Sequence, residues 1–186
     1  LAEDSLLSNK STADKEIIIL FYSELDETIQ EIIKFYAPAL SSIGVDFSRL
    51  DVEEAIGYCS QELEDAFRTV ISYWYWTQQN GEEFVSPSDF LVKAIQGNWH
   101  PYNWYDDWMK NPLFKSPGMR WWDEAAVQWG RDTRNSLVAD IQESWLRMDN
   151  ALILFMNGRH ISLHQAQRMG WDKVLEYAKA GRYSWG

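Results

Sequence analysis

The sequence predicts a mostly or all-α protein: a single-domain helical bundle with a tryptophan-rich irregular connection and a short helical pair at its C-terminus. Three observations lead there. Apolar residues recur at three- and four-residue steps along most of the 186 residues, the spacing of helices with one buried face. Helix-start signals built on Ser, Asp and Pro recur between those stretches. No stretch shows the strong apolar–polar alternation of a half-buried strand.

Residues 1–14 (LAEDSLLSNKSTAD) are polar and without aromatics, and they read as a flexible segment in which Ser11 or Thr12 caps the helix that follows. From Lys15 to Ala37, the residues Ile18, Phe21, Tyr22, Leu25, Ile29, Ile32, Ile33 and Tyr36 keep helical spacing. Pro38 and Gly44 mark a break. Asp51 opens a second pattern, with Glu54 as its capping-box partner. That pattern runs through Ala55, Ile56, Cys59, Leu63, Ala66, Phe67, Val70 and Ile71 to Trp74, with a kink near Gly57. Tyr73-Trp74-Tyr75-Trp76 sets aromatic rings all round one turn, which predicts burial on several sides, and Asn80-Gly81 stops the helix.

Ser86 and Pro87 start a third helix, Phe90, Leu91, Ala94 and Ile95 form its apolar face, and Gly97 ends it. This helix opens the stretch Phe84–Trp122, which holds five of the eleven tryptophans and four of the five prolines. So many indoles cannot stay wet, so the connection is expected to be packed, with short helical turns near Tyr102–Lys110. Ser116-Pro117 repeats the helix-start signal. Trp121, Ala125, Trp129, Leu137 or Val138, Ile141, Trp145, Met148, Leu152 and Phe155 then predict one long helix. Asn157-Gly158 fits either a type I′ hairpin turn or the cap of that helix, and the upstream periodicity favours the cap. Ser162 with Gln165 forms a capping box for a short helix to Met169, and Asp172 caps a last one over Lys173–Ala180. The expected organisation is a helical core over residues 15–157 with a helical pair over 158–186 packed on it.

Composition narrows the function. A hydrophobic share of 46% against 24% charged residues is that of an ordinary globular domain, and no apolar run approaches the length of a membrane span. Cys59 is the only cysteine, so an intrachain disulfide and a cysteine-cluster zinc site are excluded and a reducing, cytoplasmic setting is expected. A chain opening on Leu1 rather than Met is expected to be a piece of something longer. The net charge of −11 is uneven: residues 1–60 carry twelve acids against four bases, residues 61–110 eight against three, and residues 111–186 eight against ten. The acidic portion repels phosphate backbones, so any nucleic-acid contact is expected in the last third.

No phosphate-cradling glycine loop, nucleophile elbow or dinucleotide fingerprint is present, so no catalytic residue, cofactor or metal is expected. His160 and His164 stand four apart, a spacing zinc sites use, but Ser162 between them starts a helix and no third ligand is near in sequence. His100, in Trp99-His100-Pro101-Tyr102, titrates near neutrality and is the one candidate general base. An enzyme reading requires a carboxylate to meet it. The adjacent acid pairs Glu53-Glu54, Asp106-Asp107 and Asp123-Glu124 point about 100° apart on a helix and read as solvated faces.

Over Phe67–Pro101 the chain has Val70-Ile71, Asn80-Gly81, Val85, Ser86-Pro87, Phe90-Leu91, Lys93-Ala94-Ile95 and Trp99-His100-Pro101. This pattern resembles the C-terminal helical region of plasmid- and phage-type replication proteins, cyanobacterial ones in particular. It departs at Asp89, where a small residue is usual. The resemblance implies a DNA-replication or gene-regulatory setting and carries over no catalytic residue. The expected function is a non-enzymatic module binding a protein partner through Trp99, Trp104, Trp108 and Trp122. The alternatives are DNA binding by the basic C-terminal helices through Lys173, Lys179 and Arg182, and an enzyme with a His100–carboxylate site.

Overall fold

The computed structural model describes residues 21–59, 62–144 and 147–181. The chain divides into two compact units, Leu1–Phe114 and Lys115–Gly186. The polar segment 1–14, the expected helix start at Lys15, and Arg182 lie outside the described residues.

The first unit is helical. Residues 21–23 are helical, and Asp26 then starts α1 (Glu27–Ile43) by accepting from the backbone N–H of Thr28 at 2.9 Å. The single expected helix from Lys15 to Ala37 is therefore broken at residues 24–26. At the other end, Pro38 does not break α1, which runs on to Ile43. Ala37, Ala39 and Leu40 around it are fully buried, and their packing outweighs the lost backbone hydrogen bond. The second pattern likewise divides, into α2 (Leu50–Gly57) and α3 (Leu63–Asn80), with Glu62 in a left-handed conformation at the start of α3. α4 (Pro87–Gln96) begins where Ser86-Pro87 predicts, although the Ser86 hydroxyl donates to Asp89 at 2.6 Å instead of capping the backbone. Ile33, Tyr36, Leu40, Val52, Ile56, Phe67, Val70, Ile71 and Leu91 are fully buried and form the core. Two 3₁₀ turns, Asp106–Lys110 and Pro112–Phe114, complete the unit.

The second unit keeps the helical character expected but adds a small sheet, so a strictly all-α reading is too narrow. α5 (Pro117–Trp129) starts as expected, Ser116 accepting from the N–H of Met119, but it ends at Gly130. Gly130 sits at φ 85°, ψ 148°, a conformation open only to glycine. After α6 (Arg131–Leu137) come three antiparallel strands, β1 (Val138–Ser144), β2 (Arg147–Phe155) and β3 (His160–Ser162), in the order β1-β2-β3. The long helix to Phe155 is thus replaced by strands, and the fold is mostly helical with a small sheet. On β2, Ala151, Ile153 and Phe155 are buried while Leu152 is exposed, the two-residue alternation of a strand. Asn157-Gly158 is the β2–β3 hairpin turn. Among the described residues the only positive-φ non-glycines are Glu62 and Asn98, so Asn157 is not in a type I′ turn; Gly158 alone takes φ 83°.

α7 (Leu163–Met169) carries the complete Ser162–Gln165 capping box, and α8 (Trp171–Lys179) follows through Gly170. Trp121, Ala125, Val138, Ala151, Ile153, Phe155, Ile161, Leu163, Ala166, Val174 and Ala178 make this unit's core. Trp121 stacks on Trp171 at 5.4 Å, and Trp129 stands edge-on to both rings. Among the described residues, no helix is long and apolar enough to cross a membrane.

Candidate functional site

The first unit holds a groove of about 720 Å³ along one face of α3. Thr69, Ser72, Tyr73, Trp76 and Gln79 line it at helical steps of three and four, which places them in one stripe. Phe90 of α4 and His100, Tyr102, Asn103, Tyr105 and Trp108 of the following connection form its walls. The burial expected for Tyr73–Trp76 holds only in part: Trp76 is 44% exposed, while Tyr105 is 57% and Tyr102 100% exposed.

Polar side chains of α3 fasten the connection in place. Ser72 donates to the Asn103 side chain at 3.1 Å, while the Thr69 hydroxyl donates to the Asp65 carbonyl one turn back at 2.7 Å and lies 3.4 Å from the Trp99 carbonyl. The Tyr75 hydroxyl donates to the Trp108 carbonyl at 3.2 Å, and the two rings stack with centroids 4.4 Å apart. Asn111 donates to the same hydroxyl at 3.0 Å. Below the groove, Arg68 bonds Glu64 and the Tyr36 hydroxyl at 2.9 Å each and lies 5.1 Å from the Trp104 ring centre. Burial, reinforced by the hydrogen bond to Glu64, pushes the Tyr36 hydroxyl up to about 12.

At one end of the groove His100 meets two carboxylates. Its Nδ1 lies 2.5 Å from Asp65 Oδ2 and 3.3 Å from Glu62 Oε2. Glu62 is the cap residue of α3 and Asp65, three residues on, lies in its first turn; His100 arrives from the loop after α4. Asn98, at φ 49°, turns that loop, and the Trp99 N–H bonds the Ala94 carbonyl at 2.9 Å. The hydrogen bond to Asp65, aided by the charges of Asp65 and Glu62, raises the His100 pKa above the ordinary histidine value. The carboxylate that an enzyme reading requires beside His100 is therefore present.

The four tryptophans singled out from the sequence occupy different settings. Trp108 lines the groove, and Trp99 is 41% exposed, edge-on to Phe90. Trp104 is half-buried, bonded to Asp106 at 2.9 Å and packed against Trp108 and Tyr36. Trp122 belongs to the second unit, where the Arg134 guanidinium lies 3.9 Å from its ring centre. Sequence reasoning missed Tyr73, Trp76, Phe90, Tyr102 and Tyr105. The spacing of Thr69, Ser72, Tyr73, Trp76 and Gln79 was the available signal, since it marks a mixed polar–aromatic stripe beside the core face.

In the second unit Lys173 and Lys179 are exposed on α8, interleaved with the exposed Asp172 and Glu176, while Val174 and Ala178 face the core. His160 is on β3 and His164 on α7. Among the described residues they join no group of three or more potential metal ligands. Comparison with protein-family models, with curated proteins and with solved structures found no match to this chain.

Proposed function

We propose that the chain is a non-enzymatic protein-interaction module of a reducing, cytoplasmic setting, and that its partner seats an extended, cation-bearing apolar segment in the groove of the first unit. The aromatic groove carries this reading. Trp76, with one face stacked on Tyr73, and Tyr102 and Tyr105 are exposed around one concavity, and contiguous exposed apolar surface of this kind marks interaction sites. Tyrosine and tryptophan are the residues that anchor protein interfaces. Charge selects the partner: residues 1–114 carry a net −13 and residues 115–186 a net +2. A Lys- or Arg-bearing segment gains from that field and from contact with aromatic faces. A nucleic-acid strand is repelled by it, and the acids interleaved on α8 make Lys173 and Lys179 a poor phosphate track. A DNA-replication setting rests on the resemblance over Phe67–Pro101 and on nothing in the groove.

The test uses two synthetic peptides with the same Leu, Pro and Phe anchors, one carrying Lys and the other Glu at the charged positions. The Lys peptide is expected to shift the backbone amide resonances of Thr69–Gln79 and Tyr102–Trp108 and to weaken with salt. Tyr102→Ala is expected to leave folding unchanged, because the ring is fully exposed, and to weaken binding at least about tenfold. Equal binding of the Glu peptide, or shifts confined to other surfaces, would overturn the proposal.

A further inference from the structure

The sequence spacing points to His160 and His164 as the only conceivable metal pair, yet the fold assembles a different set. Among the described residues, one group of three potential ligands has its atoms within 4.8 Å of one another: Glu62, Asp65 and His100. We propose that these three side chains bind a divalent first-row transition metal ion, with Zn²⁺ as its representative.

The donor set is one imidazole nitrogen and two carboxylate oxygens. That mixture differs from a plain acidic cluster, which suits Mg²⁺ or Ca²⁺, because an imidazole donor favours zinc and its neighbours. Three protein ligands with a further position open to solvent is the arrangement of zinc sites that exchange a water or a ligand. Side-chain exposure of 62% for His100, 64% for Glu62 and 27% for Asp65 leaves an entry path.

Distances fit with one adjustment. Tetrahedral ligands about 2.0–2.2 Å from a metal stand roughly 3.3–3.6 Å apart. Nδ1 of His100 and Oε2 of Glu62 are already 3.3 Å apart. Nδ1 and Asp65 Oδ2 lie 2.5 Å apart, at hydrogen-bond distance. Seating a metal ion between them asks the pair to open by about 1 Å, a movement open to an exposed imidazole on a loop. Glu62 is the cap residue of α3 and Asp65 lies in its first turn, and the bond from the Trp99 N–H to the Ala94 carbonyl holds the residue before His100. The site shares His100 alone with the lining of the groove.

The test is calorimetric titration of Zn²⁺ into the full chain carrying Cys59→Ser, which removes the thiol as a competing ligand. One Zn²⁺ per chain is expected. His100→Gln and Asp65→Asn should each weaken binding at least about tenfold, the loss that even supporting partners of metal ligands produce. The double change His160→Gln with His164→Gln should leave it within about twofold, and Mg²⁺ should give no binding at the same concentrations. In the chain changed only at Cys59, the imidazole resonances of His100 should move on Zn²⁺ addition before those of the other two histidines. That readout holds even if a ligand variant folds poorly. Absence of Zn²⁺ binding at 0.1 mM (on the order of the weakest useful site), binding that survives His100→Gln, or loss of binding with the His160 and His164 changes would each overturn the assignment.

Discussion

Asn157 gives the sharpest test of how the second unit is held together. Its side-chain NH₂ reaches the carbonyls of Tyr177, Ala178 and Ala180 at 3.0, 3.0 and 2.9 Å, and its Oδ1 accepts the Arg159 N–H at 2.9 Å. One amide thus closes the end of α8 and the β2–β3 turn together. Two donor hydrogens are shared by three carbonyls, so the helix end is worth about 2 kcal/mol and the turn about 1 kcal/mol, at roughly 1 kcal/mol per hydrogen bond. Asn157→Ala removes both. Asn157→Asp keeps the acceptor for Arg159 but sets a carboxylate against three carbonyl oxygens at the negative end of a helix, which adds about 0.3–1 kcal/mol. The two variants therefore separate. Native-state hydrogen exchange should show about thirtyfold less protection for the α8 amides in Asn157→Ala, and slightly less again in Asn157→Asp. The Arg159 amide should lose protection only in the alanine variant. An Asn157→Asp chain whose α8 protection stays within about threefold of the parent would refute this account of the bond network.

Two further predictions concern the first unit. Glu53 is buried on α2 with Oε2 unpartnered, and burial, with the charge of Glu54, raises its pKa. Glu53→Met should therefore stabilise the protein at pH 7 by on the order of 1 kcal/mol in urea unfolding. The gain should shrink as the pH falls through the raised Glu53 pKa, because a folded-state pKa above the unfolded value penalises folding only where the carboxylate is charged; a destabilised Met variant would contradict this. Arg49 bonds Asp51 and Asp89 at 2.6 Å each, and these bonds, together with the Ser86 hydroxyl on Asp89, hold both carboxyls below the ordinary range. Depressed folded-state pKa values give stability that is present above the unfolded value near 4 and lost as the pH falls through the depressed range. Arg49→Gln should flatten the acid limb of a melting-temperature profile below about pH 4, and an unchanged limb would count against the pairing.

What could be read from the sequence was whatever depends on a few adjacent residues. The starts at Pro87 and Pro117 and the Ser162–Gln165 box are local chemistry, and each stands where that chemistry puts it. The strands escaped because β2 is apolar on both faces. Leu152 and Leu154 lie between the buried Ala151, Ile153 and Phe155, which masks the alternation and lets Ile141, Met148, Leu152 and Phe155 imitate a helix. Their pairing with β1 and β3 is non-local, and the local signal of the change was Asn157-Gly158, which fits a hairpin turn as well as a helix cap. The break at residues 24–26 escaped for a related reason, since apolar spacing continues across it, and for the same reason the one after Gly57 reads as a kink instead of a full break. The candidate site was least legible. His100 and Asp65 are 35 residues apart, and they meet only because Asn98 adopts a left-handed turn and Trp99 bonds back to Ala94.

The groove and its fastening also explain why so many rings stay open without obvious cost. α3 holds the connection through polar tips, the hydroxyls of Ser72 and Tyr75, and through the stack of Tyr75 on Trp108. The faces of Trp76, Tyr102 and Tyr105 take no part in those bonds, and the core of Phe67, Val70, Ile71 and Leu91 is complete without them. Surface left open in this way contributes little to folding and is free for a ligand. Because the walls are already bonded in place, a segment entering the groove orders itself rather than the protein, which lowers the entropic cost of binding. A stable frame and an open aromatic lining thus arise together: α3 buries its aliphatic face and bonds the connection through its hydroxyls, and the connection presents Tyr102 and Tyr105 beside Trp76 of the helix.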